Sequence, residues 1–290
     1  MILSVGELLW DLHVAPGTSL ETGEQLRRVP GGATANVAMQ LAKSGHPVAV
    51  AGTASDDALG RGLCAALEAL GVDASRVDRV PGRTGLVFLE RTEASSERSV
   101  SYRPTVGPFR GCFRLDGLQA LHISALNPNT EELRAYGALA ANARALGAWV
   151  LIDVNARPLP WREPLDAAGR AALATLAGHA HAIKVSAGDL ERLGASLDEP
   201  LDVLEAAGTT IFLTRGGDPT EIRGPWGSFE CTPPKVELVR SIGAGDAFCA
   251  GVLAALRRLP AEALAQPMDL WRSLLDAGHQ SAAVRVSSAW

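Results

Sequence analysis

"ALHISALNPNTEELRAYGALAANARALGAWVLIDVN", residues 120–155, decides the fold class. Its two ends, "ALHISAL" and "AWVLIDVN", are short runs that are apolar nearly throughout. Between them lies an Ala- and Leu-rich helical segment, "TEELRAYGALAANARALG" (130–147), that closes on a glycine. A strand without polar alternation is buried on both faces, and that happens in a parallel sheet covered by helices on each side. The same rhythm extends outward. The apolar runs "ILSVGELLW", "PVAVAG", "AIKVS" and "TIFLTRG" alternate with "TANVAMQLAKSG", "DALGRGLCAALEALG" and "LDVLEAAG". Gly45, Gly71, Gly147 and Gly208 stand where left-handed helix caps are expected. The expected architecture is one doubly wound, mostly parallel α/β domain over residues 1–290.

Two stretches break the alternation. "HVAPGTSLETGEQLRRV" (13–29) is polar and rich in turn formers. "TGLVFLERTEASSERSVSYRPTV" (84–106) reads as two strands around a polar turn at Glu93 to Ser96. Together they are expected to form a small β lid inserted into the domain.

Composition narrows the function classes. The chain has 290 residues, 47% of them hydrophobic, which suffices for a large core. A net charge of −5, with Lys and Arg scattered among acids, leaves no footprint for nucleic acid. Cys64, Cys112, Cys231 and Cys249 have no CxxC spacing, so thiols in a reducing compartment are expected rather than a disulfide or zinc framework. "MILSVGELLWDLHV" lacks a basic start and meets acids at Glu7 and Asp11, so it reads as a first strand and not a signal peptide. No apolar stretch is long enough to span a bilayer. A cytoplasmic location is the expectation.

"RSIGAGDAFCAG" (240–251) carries the chemistry. A helix starting at "GAGD" offers unpaired backbone N–H groups at its positive end, and glycines let an anion approach them. A carboxylate directly after such an anion hole suits phosphoryl transfer, with the N–H groups on the phosphoryl charge and Asp246 taking the proton of an attacking hydroxyl. Taken alone, the same residues also fit a plain strand-to-helix turn with a first-turn acid. The GxxxxGK[ST] and GxGxxG patterns are absent, which removes the main signals for P-loop NTPases and dinucleotide-binding dehydrogenases.

"GGATANVAMQLAKSG" (31–45), "GELLWDLH" (6–13) and "GAGDAF" (243–248) together resemble the ribokinase/PfkB family of carbohydrate kinases. The resemblance covers nearly the whole chain. It includes "ASDDALGRGLCAALEALGVD", "DVNARPLPW", "KVSAGDLERLG" and "LTRGG", the last similar to the family's nucleotide loop. It implies ATP and Mg²⁺ as co-substrate and cofactor, and Asp246 as base with Gly243, Ala244 and Gly245 as the anion hole. Asp11, Gly31, Gly32 and Asn36 would bind the sugar, with Asn155 and Arg157 also on the substrate. Lys184, Ser186, Thr214, Gly216, Gly217 and His279 would serve the nucleotide. Asp189 stands where the family has a glutamate near the metal's water shell. Three residues keep two readings each: Lys184 reaches a phosphate or snorkels, His279 neighbours the base or is a half-exposed helix histidine, and Trp10 stacks on sugar or packs under the lid. His122 reads as a core histidine.

The chain departs from the pattern in two places. After Gly217 it has Asp218-Pro219-Thr220, and Pro219 fixes φ and removes an N–H. Ahead of Gly243 it has Arg240-Ser241-Ile242, where potassium-activated members carry D-T-x, so activity independent of potassium is expected. "RTGLVFLE" and "ERSVSYR" resemble fructokinases, which makes fructose the favoured acceptor. A 2-keto-3-deoxygluconate kinase, another sugar or nucleoside kinase, and a non-catalytic sugar-binding protein are the alternatives. A homodimer through the lid is expected.

Overall fold

The computed structural model describes residues 1–15, 17–23, 25–91, 97–102, 114–124, 129–156, 166–193, 198–239, 241–259 and 267–288. Seven parallel strands form the body of one sheet. They are β1 (Ile2–Val5), β4 (Val48–Ser55), β5 (Asp73–Val80), β8 (Ala120–Ser124), β9 (Trp149–Asp153), β10 (Ala182–Ser186) and β11 (Thr210–Arg215). An antiparallel pair, β12 (Asp218–Gly224) and β13 (Gly227–Cys231), extends one edge, giving the order β13-β12-β11-β10-β9-β8-β1-β4-β5. The chain runs from β1 outward through β4 to β5, then returns to the other side of β1 with β8 and continues to β11. Strand order therefore reverses between β1 and β8, where open α/β sheets leave a crevice at their carboxyl ends.

Helices cover both faces, as the doubly apolar strands require. On one face α3 (Thr130–Ala145), α4 (Ala167–His179), α5 (Ala187–Leu193) and α6 (Asp198–Ala206) bury Leu133, Tyr136, Leu176 and Leu204 against Leu3, Ile123, Val150 and Ile152. On the other α1 (Ala33–Lys43), α2 (Ala58–Ala69), α7 (Ala244–Leu256) and α8 (Pro267–Ser287) bury Val37, Leu67, Leu253 and Trp271 against Ile2, Val50, Leu151 and Phe212. Asp57, Asn129 and Asp166 cap α2, α3 and α4 by accepting from the N–H of the third helical residue. The four cap glycines have φ of +77°, +82°, +75° and +69° at Gly45, Gly71, Gly147 and Gly208, as expected from the sequence.

A second, four-stranded sheet has the order β3-β2-β6-β7, from β2 (Leu9–Val14), β3 (Leu26–Gly31), β6 (Gly85–Arg91) and β7 (Glu97–Tyr102). The β6–β7 antiparallel pair matches the hairpin read from the sequence. The apolar run "ILSVGELLW", however, is not one strand. It breaks at Gly6, whose φ is +145° and whose missing Cβ would fall 2.5 Å from the Ser124 carbonyl oxygen. The chain leaves the main sheet there, so the small sheet begins at Leu9 rather than residue 13 and carries Asp11. Residues 92–96 and 103–106 of the expected lid lie outside the described residues. Trp10 Nε1 donates to the Leu59 carbonyl at 2.9 Å and the Arg28 guanidinium covers its ring, so this side chain packs beneath the small sheet.

Candidate functional site

A cavity of about 870 Å³ lies between the inner face of the small sheet, the N-termini of α1 and α7, and the carboxyl ends of β10 and β11. Asp11, Gly32, Asn36, Asn155, Lys184, Ser186, Asp189, Thr214, Gly216, His279 and the whole Gly243–Asp246 turn line it. Thus residues far apart in the chain, singled out from the sequence, converge on one space. Gly31 and Gly217 do not line it, and Arg157 and Arg240 lie outside the described residues.

Both helices that point at the cavity start on glycine. Gly32 caps α1 with φ +86° and Gly243 caps α7 with φ +79°, and neither helix has a side-chain cap. The first α7 bond of the i to i−4 type is Ala247 N–H to the Gly243 carbonyl at 2.9 Å, which puts the Gly245 N–H in the opening turn of the helix. Cations flank this turn. A Cβ on Gly245 would lie 3.3 Å from Lys184 Nζ, and one on Gly243 would lie 3.0 Å from Arg285 Nε. A positive helix end, without a Cβ at Gly243 or Gly245 and bracketed by two charges, is suited to a phosphoryl group.

Asp246 is buried in the first turn of α7, and its Oδ2 accepts from Asn36 Nδ2 at 2.8 Å. Asn36 in turn sits where its own N–H donates to the Gly32 carbonyl and starts α1. The α1–α7 contact therefore aims the carboxylate. Across the cavity, a Cβ on Gly31 would collide with the Asp11 carboxylate, so only glycine leaves that acid its position.

Beneath the turn lies an ionic cluster. Lys184 Nζ is 3.1 Å from Asp153 Oδ1 and 3.7 Å from Asp189 Oδ2, all three buried. Burial alone would lower the Lys184 pKa, but Asp153 and then Asp189 carry it above the ordinary lysine value, so the ammonium stays charged. The snorkelling reading of Lys184 is thereby corrected: its charged end points into the protein, onto two acids. Asp189 also accepts from the Ala156 and Ser186 N–H groups and from Ser186 Oγ. Asn155, at φ +42°, donates to Asp153 at 3.2 Å. Asp153 was not singled out from the sequence, although a lysine inside the apolar run "AIKVS" demands a buried acid partner. His122 shares a 2.9 Å hydrogen bond between its Nδ1 and Ser4 Oγ, and burial, then Lys184, holds its pKa down at about 3. It is a neutral core histidine.

At the other end of the cavity Gly216, with φ +66°, and Gly217 form the turn between β11 and β12. Pro219 sits in β12, where its carbonyl accepts from Arg215 at 3.2 Å. His279 is buried, not half-exposed; its Nε2 shares a 2.9 Å hydrogen bond with Thr220 Oγ1, and its ring packs on Phe248.

A family model described as pfkB family carbohydrate kinase matches residues 1–289. A fructokinase of Klebsiella pneumoniae is 32% identical over 264 residues, covering 86% of this chain and 84% of that protein. An aminoimidazole riboside kinase of Salmonella typhimurium is 30% identical over 249 residues, covering 80% of this chain and 75% of that protein. Among solved structures, a fructokinase with bound ATP from Xylella fastidiosa has the same fold. Its TM-score is 0.77 at 24% identity, covering 99% of this chain and 92% of that one.

Proposed function

The chain belongs to the pfkB family of carbohydrate kinases, and on that premise we propose an ATP-dependent hexose kinase with fructose as its favoured acceptor. The observation that carries the reading is the buried Asp246 carboxylate, held by Asn36 beside the glycine-started N-terminus of α7. Asp246 removes the proton from a sugar hydroxyl as that oxygen bonds to the γ-phosphorus. The bond from phosphorus to the β-phosphate oxygen breaks, and ADP leaves. The helix start at Gly245 receives the charge on the transferring group, with Lys184 and Arg285 beside it, while the Ala244 N–H is held by the Ser241 carbonyl.

Asp11 accepts hydrogen bonds from sugar hydroxyls, Gly31 leaves that carboxylate its room, and Gly32, Asn36, Asn155 and Arg157 complete the acceptor end. Ser186, Thr214, Gly216 and His279 take the nucleotide end, with Gly217 completing the β11–β12 turn behind them. The carboxylates present suit Mg²⁺ held mostly by water and phosphate. Asp189 spends lone pairs on three protein donors but keeps capacity for a water. When bound, the ion neutralises phosphate charge.

The fructokinase relative supports fructose, and the riboside kinase relative keeps a riboside as the second reading. Initial rates of ADP release against fructose, other hexoses, 2-keto-3-deoxygluconate and aminoimidazole riboside test both. The highest kcat/KM is expected with fructose. A higher value with the riboside would reassign the acceptor, and no release with any of them would leave a sugar-binding protein. With Arg285 against Gly243 and Arg240 preceding the turn, replacing sodium by potassium at constant ionic strength is expected to leave the rate unchanged.

A further inference from the structure

Cys231 is the last residue of β13 and faces Asp276 of α8. Cys231 is the direct register partner of Thr220 across the β12–β13 pair, so the two side chains share one face. Asp276 and His279 lie three residues apart on α8 and therefore on one side of that helix. One ligand atom from each of Cys231, Asp276 and His279 lies within 4.8 Å of the others, and Cys231 Sγ is 3.9 Å from Asp276 Oδ1.

We propose that Cys231, Asp276 and His279 bind a divalent ion of the Zn²⁺ type, fastening β13 to α8 beside the end of the cavity that His279 lines. A thiolate, an imidazole and a carboxylate form a donor set for zinc, whereas Mg²⁺ and Ca²⁺ take oxygen. Ligand atoms around tetrahedral zinc stand about 3.5 Å apart. The cluster must contract by roughly an ångström, and the exposed Asp276 and half-exposed Cys231 have the freedom to do so. The His279 ring is already oriented by Thr220, the kind of outer contact that fixes a metal-binding imidazole. The Cys231 thiol gives up its proton as the ion binds. A water completes the shell from the solvent side.

The other mixed cluster among the described residues, His122, Asp153 and Cys249, does not compete. All three are fully buried, and the Lys184 ammonium already occupies Asp153. Cys231 is a free thiol at the surface of the fold.

The site does not depend on which sugar is phosphorylated, and its test does not use the kinase reaction. Cd²⁺ titrated into the full chain, followed by its ultraviolet thiolate-to-metal band, is expected to saturate at one ion per chain, with Zn²⁺ displacing it. Cys231→Ser is expected to abolish the band. Asp276→Asn, an exposed substitution, is expected to weaken binding by about tenfold or more. Cys64→Ser, Cys112→Ser and Cys249→Ser are expected to keep the band. A band that survives Cys231→Ser, unchanged affinity in Asp276→Asn, or no saturable binding to the wild-type chain would each overturn the proposal.

Discussion

Asp246 tests the chemistry with a single atom change. Asp246→Asn keeps the shape and a partner for Asn36 but removes the proton acceptor. General-base catalysis contributes about 10²–10⁴-fold, so kcat is expected to fall by a factor in that range. Sugar affinity, read by calorimetry, should stay near wild type because Asp11 and the α1 turn are untouched. A variant that kept more than half of wild-type kcat would take Asp246 out of the mechanism. The helix start at "GAGD" is legible on its own, but that stretch also fits a plain strand-to-helix turn, and the family resemblance is what singles out Asp246. Its aiming by Asn36, 210 residues away in sequence, is not legible there. Nothing in "DVN" sets Asp153 apart from Asn155, because the burial of its carboxylate is a matter of tertiary packing. Only the isolated Lys184 in an apolar strand pointed to it.

Asp57 shows how one cap joins elements of both sheets. Its Oδ1 accepts from the Gly60 N–H at 2.7 Å, which caps α2, and from Thr84 Oγ1 at 2.6 Å, one residue before β6. Its Oδ2 accepts from the Thr84 N–H at 2.9 Å. Burial alone would raise the Asp57 pKa, but these bonds, with Ser55, lower it from 3.8 to about 2. Because the folded value is depressed, the ionised acid stabilises the fold above pH 3.8, and that contribution disappears as pH falls towards 2. Asp57→Ala is expected to cost about 0.5–2 kcal/mol at neutral pH for the lost cap, with the gap to wild type closing across that acid window. Urea unfolding at a series of pH values measures it, and a gap independent of pH would refute the ionic account. Elements of this kind were unevenly legible. Doubly apolar strands such as β8 and β9 announce themselves, whereas β5, "DASRVDRV", spaces Ala74, Val77 and Val80 three apart and shifts register against β4, so no strand period marks it. The β1–β2 break was hidden because both strands are apolar, and only Gly6 and Glu7 mark the exit from the main sheet.

The small sheet decides how the whole molecule behaves. Its inner face, Leu9, Val87 and Leu89, packs on Ile242 just ahead of the anion turn, so lid position and turn geometry are coupled. Ser99 and Ser101 line the cavity, and strand alternation turns Val100 and Tyr102 to the opposite face. Val100 is 59% exposed and Tyr102 52%, on the edge strand β7. On the far edge Leu26, 44% exposed, shares that outer face through its pairing with Val14. A sheet with apolar groups on both faces and a thin core of its own is covered best by another sheet of the same kind. The expected assembly is a homodimer through the outer lid faces, with closure keeping water from the γ-phosphate. Sedimentation at micromolar protein should give the dimer mass. Val100→Lys with Tyr102→Glu should shift it to monomer and raise the sugar KM more than it lowers kcat, because the small sheet carries Asp11, the residue proposed to bind the acceptor. If wild-type protein sediments as a monomer with and without sugar, the outer face is solvent-exposed by design and the lid must close on intrachain contacts alone.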